Sequence, residues 1–161
     1  AVASDWDERK GLAYLPGLAE ALGEEYQVVV IGLSPEQIKG LPKTILGLER
    51  TQSPDELVQW YSAADCVVNP TLEDNMPMVN LEALACGTPV AAFATGGCPE
   101  AVTEDCGMIV PKGDGAALAE AVALIAPHKD AYTRACLQQA ERFNAQGTAQ
   151  AYWELYREVT R

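Results

Sequence analysis

CVVNPTLEDNMPMVNLEALACGTPVAAF, residues 66–93, is the stretch that decides the fold. It opens on a short apolar run at 66–69 and closes on another at 89–93. Between them lie a loop of turn formers and acids through Pro77 and a helix-compatible segment over about 78–86 that Gly87 and Thr88 end. Two buried strands joined by a helix run parallel, because a right-handed crossover helix is the standard way to return the chain to the same edge of a sheet.

The same alternation extends in both directions. Toward the amino end, Leu12, Leu15, Leu18 and Leu22 fall near helical spacing over 10–22, and Gly23 is a stop signal. QVVVIGL at 27–33 reads as a buried strand and 44–48 as the next. Ser34-Pro35-Glu36-Gln37 and Ser53-Pro54-Asp55-Glu56 both join a cap residue to a first-turn proline, so a helix starts at each, running to about Gly40 and through Ala63. Toward the carboxyl end, a short helix follows Gly96-Gly97 and a strand covers 107–110. An Ala-rich helix then runs to Ile125, and two more helices are expected over 131–143 and 149–159. Val2-Ala3 reads as the tail of a strand that starts earlier, which marks the chain as an excised domain with about six strands. The expected class is α/β, a doubly wound parallel sheet with a helical extension. Tyr152, Trp153 and Tyr156 form an aromatic stripe in the last helix, and such a stripe is read as core, packed on this domain or on a missing one.

Composition narrows the partners. A chain of 161 residues, 48% hydrophobic and 21% charged, buries one sizeable core. With 11 Lys and Arg against 23 Asp and Glu, the net charge of -12 excludes a general nucleic-acid binder, which needs a basic face. The five cysteines, Cys66, Cys86, Cys98, Cys106 and Cys136, form no C-x-x-C pair and read as buried small residues or free thiols of a reducing compartment. The residues show no membrane span and no signal peptide, so a cytoplasmic location is expected.

Ligands of such sheets bind in the loops at the carboxyl ends of the strands. Three loops qualify. In the first, Arg9 and Lys10 sit where a strand gives way to a helix, able to face a phosphate or simply to be solvated in an exposed turn. Its Asp5-Trp6-Asp7 matches a metal-holding D-x-D pattern, but three residues without their sheet context are a weak motif and no metal site is assigned. The second loop, Pro70 to Pro77, brings Glu73, Asp74 and Asn75 to the start of the helix carrying Glu82. There a helix N-terminus attracts diphosphate and carboxylates accept from sugar hydroxyls, unless Asp74 or Asn75 only caps the helix and Glu82 is a plain exposed residue. The third, with Gly96 and Gly97, allows close backbone approach to a ligand or a tight turn.

Tyr61-Ser62-Ala63-Ala64-Asp65, Glu73-Asp74-Asn75-Met76-Pro77, the block from Leu81 to Val90 and Gly96-Gly97-Cys98-Pro99-Glu100 together closely resemble the C-terminal domain of retaining glycosyltransferases of family 4, enzymes of GT-B architecture with two facing Rossmann-like domains. The resemblance implies that residues 1–127 are a Rossmann-like domain binding a nucleotide-diphosphate sugar, with the helices of 128–161 packed on it. The partner domain is an N-terminal, acceptor-binding one absent from this chain. A hexosyl group would pass, with retention, to a saccharide or lipid-linked acceptor, as in polysaccharide or glycolipid assembly, with no metal or other cofactor and with peripheral membrane association of the full-length enzyme. Lys10 matches the family's phosphate-binding lysine, Glu82 the second acid of its E-x7-E motif, facing the ribose, and Asn75, Met76 and Pro77 its donor-binding amides, with Gly96, Gly97 and Arg9 close by. Two departures stand out. The position eight before Glu82 is Asp74, so the first acid is Asp74 in register or Glu73 displaced by one. Ser4 and Asp5 occupy the region of the family's arginine, and Arg9 is then the second positive charge. The competing readings are a noncatalytic α/β interaction domain and a nucleotide-sugar epimerase-like domain.

Overall fold

The computed structural model describes residues 1–160. Strands β1 (Val28–Ile31) and β2 (Ile45–Leu48) pair in parallel, with Val28 opposite Ile45 and Ile31 opposite Leu48. Strands β3 (Val67–Asn69), β4 (Val90–Phe93) and β5 (Gly107–Val110) form a second parallel set with β4 in the middle. Five strands therefore form among the described residues where about six were expected. The sixth place is held only by Val2, bridged in parallel to Ile31. The described strands thus form two hydrogen-bonded sets, β1–β2 and β3–β4–β5.

Helices α1 (Tyr14–Leu22), α2 (Pro35–Gly40), α3 (Pro54–Ala63), α4 (Met78–Ala85), α5 (Cys98–Ala101) and α6 (Gly115–Ile125) fill the connections. The predicted starts at Ser34 and Ser53 hold: each hydroxyl accepts an amide hydrogen three residues on. The first helix is shorter than its leucine spacing predicted. Asp7 caps a 3-10 turn over Glu8–Lys10 instead, and Gly11 then takes a left-handed φ of 75°. Only glycine fits there, since a Cβ would lie 2.0 Å from the Pro70 carbonyl oxygen.

Alternation along β4 builds both sides of the core. Ala91 and Phe93 face the layer of α1 and α6, while Val90 and Ala92 face α4 and α5. Val68 and Val67 divide in the same way. This two-sided burial is what makes β3 and β4 continuous apolar runs and the sheet doubly wound. Fully buried Phe93 meets Tyr14 edge-on at 5.0 Å between ring centroids.

Two helices follow, α7 (Lys129–Glu141) and α8 (Ala145–Val159). Helix α7 lies on α4 and buries Cys136 and Gln139. Helix α8 starts four residues earlier than expected because Asn144 accepts from the Gly147 amide at 2.7 Å. Its aromatic stripe does not pack on this domain: Tyr152, Trp153 and Tyr156 are 57%, 60% and 58% exposed, and α8 buries no residue. Removing residues 145–161 is therefore expected to cost less than about 0.5 kcal/mol, roughly 2 °C in Tm, by thermal unfolding. No helix among the described residues is long and apolar enough to cross a membrane.

The cysteines are free, with Cys98, Cys106 and Cys136 buried. Burial pushes the thiols of Cys66 and Cys136 up to about 12. At pH 8 both stay protonated, so a thiol reagent such as DTNB should leave them untouched in the folded chain and label all five cysteines in urea. Labelling of Cys136 at the rate of an exposed thiol would contradict its burial.

Candidate functional site

The site grows from the carboxyl end of β3. Past Asn69 the chain turns at Pro70 and runs to Pro77, where α4 begins. Two other segments close on this loop. From the amino side, the turn at Glu8–Lys10 is clasped by three contacts: the Leu72 amide donates to the Arg9 carbonyl at 2.6 Å, the Thr71 hydroxyl donates to the same carbonyl at 3.2 Å, and Gly11 lies against Pro70. From the far side, the Gly97 amide donates to the Asn75 carbonyl at 2.7 Å. Gly96 sits at a φ of 47°, so close to the Asp74 carbonyl that a Cβ would stand 1.7 Å from its oxygen.

This convergence brings together residues far apart in sequence. The Lys10 ammonium donates to Asp74 Oδ2 at 2.6 Å, the two side chains being 29% and 18% exposed. Lys10 is thus held in place by a carboxylate while one side of it remains open to solvent. Glu73, the other candidate first acid, is exposed, and its carbonyl rather than its carboxylate is engaged, 3.2 Å from the Thr71 hydroxyl, whose one hydrogen it shares with the Arg9 carbonyl. Asn75 and Met76 line the same corner: the Met76 thioether packs over Gly97, where a Cβ would meet its terminal methyl at 2.7 Å.

Neither Asp74 nor Asn75 caps α4. The cap position is Pro77, which offers no side-chain acceptor, so the first-turn amides of an eight-residue helix lack a side-chain partner. They follow Asp74 by the short Asn75–Pro77 link. An ammonium paired with Asp74, a helix N-terminus without a side-chain cap and two glycines thus meet at one corner of a chain whose overall charge is -12.

Arg9 is paired with Asp7, while its charge is also felt by Glu73 and Asp74 of the second loop. Its guanidinium donates to Asp7 at 2.6 and 2.8 Å on the exposed outer side of the turn and holds the Asp7 carboxyl below its ordinary range. Asp7 also accepts from the Lys10 amide at 3.1 Å. Of the D-x-D triplet, Trp6 is buried and its indole N–H donates to the Ile31 carbonyl at 2.9 Å, which ties the first loop to the end of β1.

Glu82 is not joined to the Lys10–Asp74 pair. It accepts at 2.8 Å from the hydroxyl of buried Tyr61, whose own carbonyl accepts from the buried Thr88 hydroxyl at 2.7 Å. Burial and then the Glu82 carboxylate raise the Tyr61 hydroxyl above its ordinary value, so the tyrosine is always the donor and one Glu82 oxygen is left for another partner.

The sequence reading missed the polar scaffold beneath the loops. Asn69 donates to the Asn80 side-chain oxygen at 2.8 Å, Asn80 donates to Cys98 Sγ at 3.5 Å, and the Thr71 amide donates to Asn69 at 3.3 Å. These buried groups hold the ends of β3, α4 and α5 in one arrangement. The available signal was polar residues inside otherwise apolar runs, Asn69 after two valines and Asn80 among Val79, Leu81 and Ala83.

A family model described as "Glycosyl transferases group 1" matches residues 1–126. The chain is 38% identical over 112 residues to a D-inositol 3-phosphate glycosyltransferase of Saccharomonospora viridis, a match covering 67% of this chain and 26% of that protein. To the protein of the same name in Corynebacterium efficiens it is 32% identical over 149 residues, 90% of this chain and 34% of that one. The chain thus spans between about a quarter and a third of the length of these relatives. Among solved structures, sucrose-phosphate synthase of Thermosynechococcus elongatus superposes with a TM-score of 0.84 at 28% identity, over 99% of this chain and 44% of that one. HepE of Anabaena, solved in complex with UDP-glucose, shares the fold, with a TM-score of 0.76 at 23% identity over 98% of this chain and 48% of that one. With the family model spanning most of its length, the chain belongs to the group 1 glycosyltransferases.

Proposed function

We propose that this chain is the donor-binding half of a retaining glycosyltransferase. It holds a nucleotide-diphosphate sugar, from which a hexosyl group passes to a saccharide or lipid-linked acceptor carried by a second, N-terminal domain. The observation that carries the reading is the Lys10 ammonium, 2.6 Å from Asp74 where three loops meet at the carboxyl ends of the strands. That HepE, of like fold, is solved with UDP-glucose and with UDP supports a nucleotide-sugar ligand.

In this reading the diphosphate rests on the first-turn amides of α4, and the contacts of Gly96 and Gly97 with the Asp74–Met76 loop hold that corner in place. Lys10 meets the charge that grows on the diphosphate as the sugar leaves, stabilisation aimed where charge develops. The resting pair with Asp74 keeps the ammonium aimed, and the diphosphate draws it off the carboxylate. Asp74, with Glu73 beside it, then accepts from sugar hydroxyls, while Asn75, Met76 and Pro77 line the donor. Glu82 receives the ribose hydroxyls through the oxygen that Tyr61 leaves free. Arg9 adds a second positive charge from the outer face of the turn, weakened by Asp7. Lys10 and the backbone amides take the part that a divalent ion plays in metal-dependent transfer, so no metal is assigned.

Transfer needs donor and acceptor held face to face, so the isolated chain should bind donor and transfer little. Isothermal titration of the 161-residue chain at low salt with UDP-, GDP- and ADP-sugars is expected to show binding of at least one that weakens as salt rises. No heat with any of the three would overturn the donor-site reading.

A further inference from the structure

Asn69 and Asn80 occupy places where apolar side chains would pack as well. Asn69 ends β3 after Val67 and Val68, and Asn80 shares the buried face of α4 with Ala83 and Leu84. Taking an amide out of water is unfavourable unless each of its groups finds a partner, and an apolar pair of similar size makes no such demand. What an amide pair adds is direction, since a hydrogen bond fixes which atom meets which.

That direction is carried over a long path. Asn80 Nδ2 donates to Sγ of Cys98, the first residue of α5 and the neighbour of Gly97. Asn80 Oδ1 accepts from Asn69, and Asn69 Oδ1 accepts the Thr71 amide across Pro70, a residue with no N–H of its own. The Thr71 hydroxyl shares its one hydrogen between the carbonyls of Glu73 and Arg9, and Arg9 immediately precedes Lys10. One chain of contacts therefore starts under the glycine loop, passes beneath α4 and ends on the turn that carries the ammonium. Asn80 and Thr71 are fully buried, so they act on that turn and not on a ligand.

Lys10 needs such a hold. Its bond to Asp74 joins segments 64 positions apart, and the lysine side chain keeps 29% of its surface in water. A pair that open does not fix its own geometry, because the attraction is screened and a long side chain gives up rotamer freedom to make it.

We propose that Asn69, Asn80 and Thr71 are positioning residues for Lys10, a buried hydrogen-bonded chain that fixes the Glu8–Lys10 turn on the second loop so that the ammonium stays aimed at Asp74. The use of that aim rests on the donor-site reading, while the aim itself does not. An apolar pair in place of the two amides then separates two properties, keeping the fold and releasing the lysine.

The test changes both amides together, Asn69→Val with Asn80→Val, since removing one leaves the other buried without a partner. Thermal unfolding is expected to give a Tm within about 3 °C of the parent chain or above it. Acetylation of Lys10 by acetic anhydride, followed by mass spectrometry with exposed Lys39 as the internal reference, should speed at least about threefold as the ammonium leaves its carboxylate. Thr71→Val should do the same, and Thr71→Ser, which keeps the hydroxyl, should leave the rate unchanged. Acetylation at the parent rate in the folded double variant or in Thr71→Val overturns the proposal, and if the double variant does not fold, the two Thr71 variants decide by the same readout. In titrations with the tightest-binding nucleotide-sugar, the double variant is expected to lose at least about fivefold in affinity, and Lys10→Ala made in that background to cost less than about threefold rather than tenfold or more. Full additivity of the two changes shows that the amides act on something other than Lys10 and overturns the proposal. Absence of binding by the parent chain overturns the donor-site reading alone, and Lys10 acetylation then decides this inference by itself.

Discussion

Lys10→Ala is expected to weaken binding of a nucleotide diphosphate by about 10- to 100-fold while leaving the fold nearly as stable as before. Hydrogen bonds to charged groups contribute about 1.5–3 kcal/mol, and about 1.4 kcal/mol is a factor of ten. Lys10 is the ammonium that bonds across the converging loops, while the Arg9 guanidinium is paired with Asp7. The stability cost is small because the Lys10–Asp74 pair keeps 29% and 18% of its side-chain surface in water, where such a pair contributes at most about 1 kcal/mol. Titration with the tightest-binding nucleotide at two salt concentrations, together with urea unfolding, measures both effects. The variant should also show a shallower salt dependence, having lost one cation. An unchanged affinity would remove Lys10 from the site.

Gly96→Ala is expected to abolish measurable donor binding and to cost at least about 2 kcal/mol of stability, roughly 4–8 °C in Tm. The cause is steric and local. At a φ of 47° an added Cβ lands 1.7 Å from the Asp74 carbonyl oxygen and 3.1 Å from that of Asn75. Both neighbours are main chain, so neither can swing aside, and the loop carrying Asp74 has to move off the glycine loop. That movement drags Asp74 from Lys10 and opens the corner where the diphosphate is proposed to sit. Gly17→Ala is the control: nothing lies within 4 Å of its added Cβ, and alanine in the body of α1 should be neutral or stabilising by up to about 1 kcal/mol. The two site variants differ in kind, Lys10→Ala losing affinity from an intact fold and Gly96→Ala losing both. A Gly96→Ala chain with unchanged Tm and donor affinity would show that the two loops do not need to touch.

The acidic composition takes on a narrower meaning beside this geometry. A net charge of -12 slows the approach of any anion, but distant carboxylates are screened, and the proposed donor site depends on the groups at the corner, the Lys10 ammonium with its Asp74 partner and the open end of α4. The acids close to the corner, Glu73 and Asp74, are positioned to compete for Lys10, and to meet hydroxyl groups once it is taken.

Much of the architecture was legible in the residues because its causes are local. Short apolar runs bounded by turn formers mark β1, β3 and β4, and a serine with a first-turn proline marks α2 and α3, since the hydroxyl that satisfies a free amide sits three residues from it. The misreadings came where a local signal met a tertiary constraint. Leu12 keeps the helical spacing, yet Gly11 is pressed against Pro70 and the helix waits until Tyr14. The aromatic stripe of α8 has the composition of a core face, but a stripe becomes core only if something covers it, and no described residue does.

By itself, then, the sequence determined the parallel α/β class, the order of its elements and the loops in which chemistry has to lie, because periodicity, capping and the handedness of crossovers act within a few residues or along a single connection. Only the tertiary structure decided that Lys10 meets Asp74 rather than Glu73, that the Arg9 guanidinium pairs with Asp7, and that Glu82 is held by Tyr61. Those outcomes rest on approaches between residues as far as 64 positions apart, where an ångström in the placing of Gly11 against Pro70, or of Gly96 against Asp74, settles which charge finds which partner.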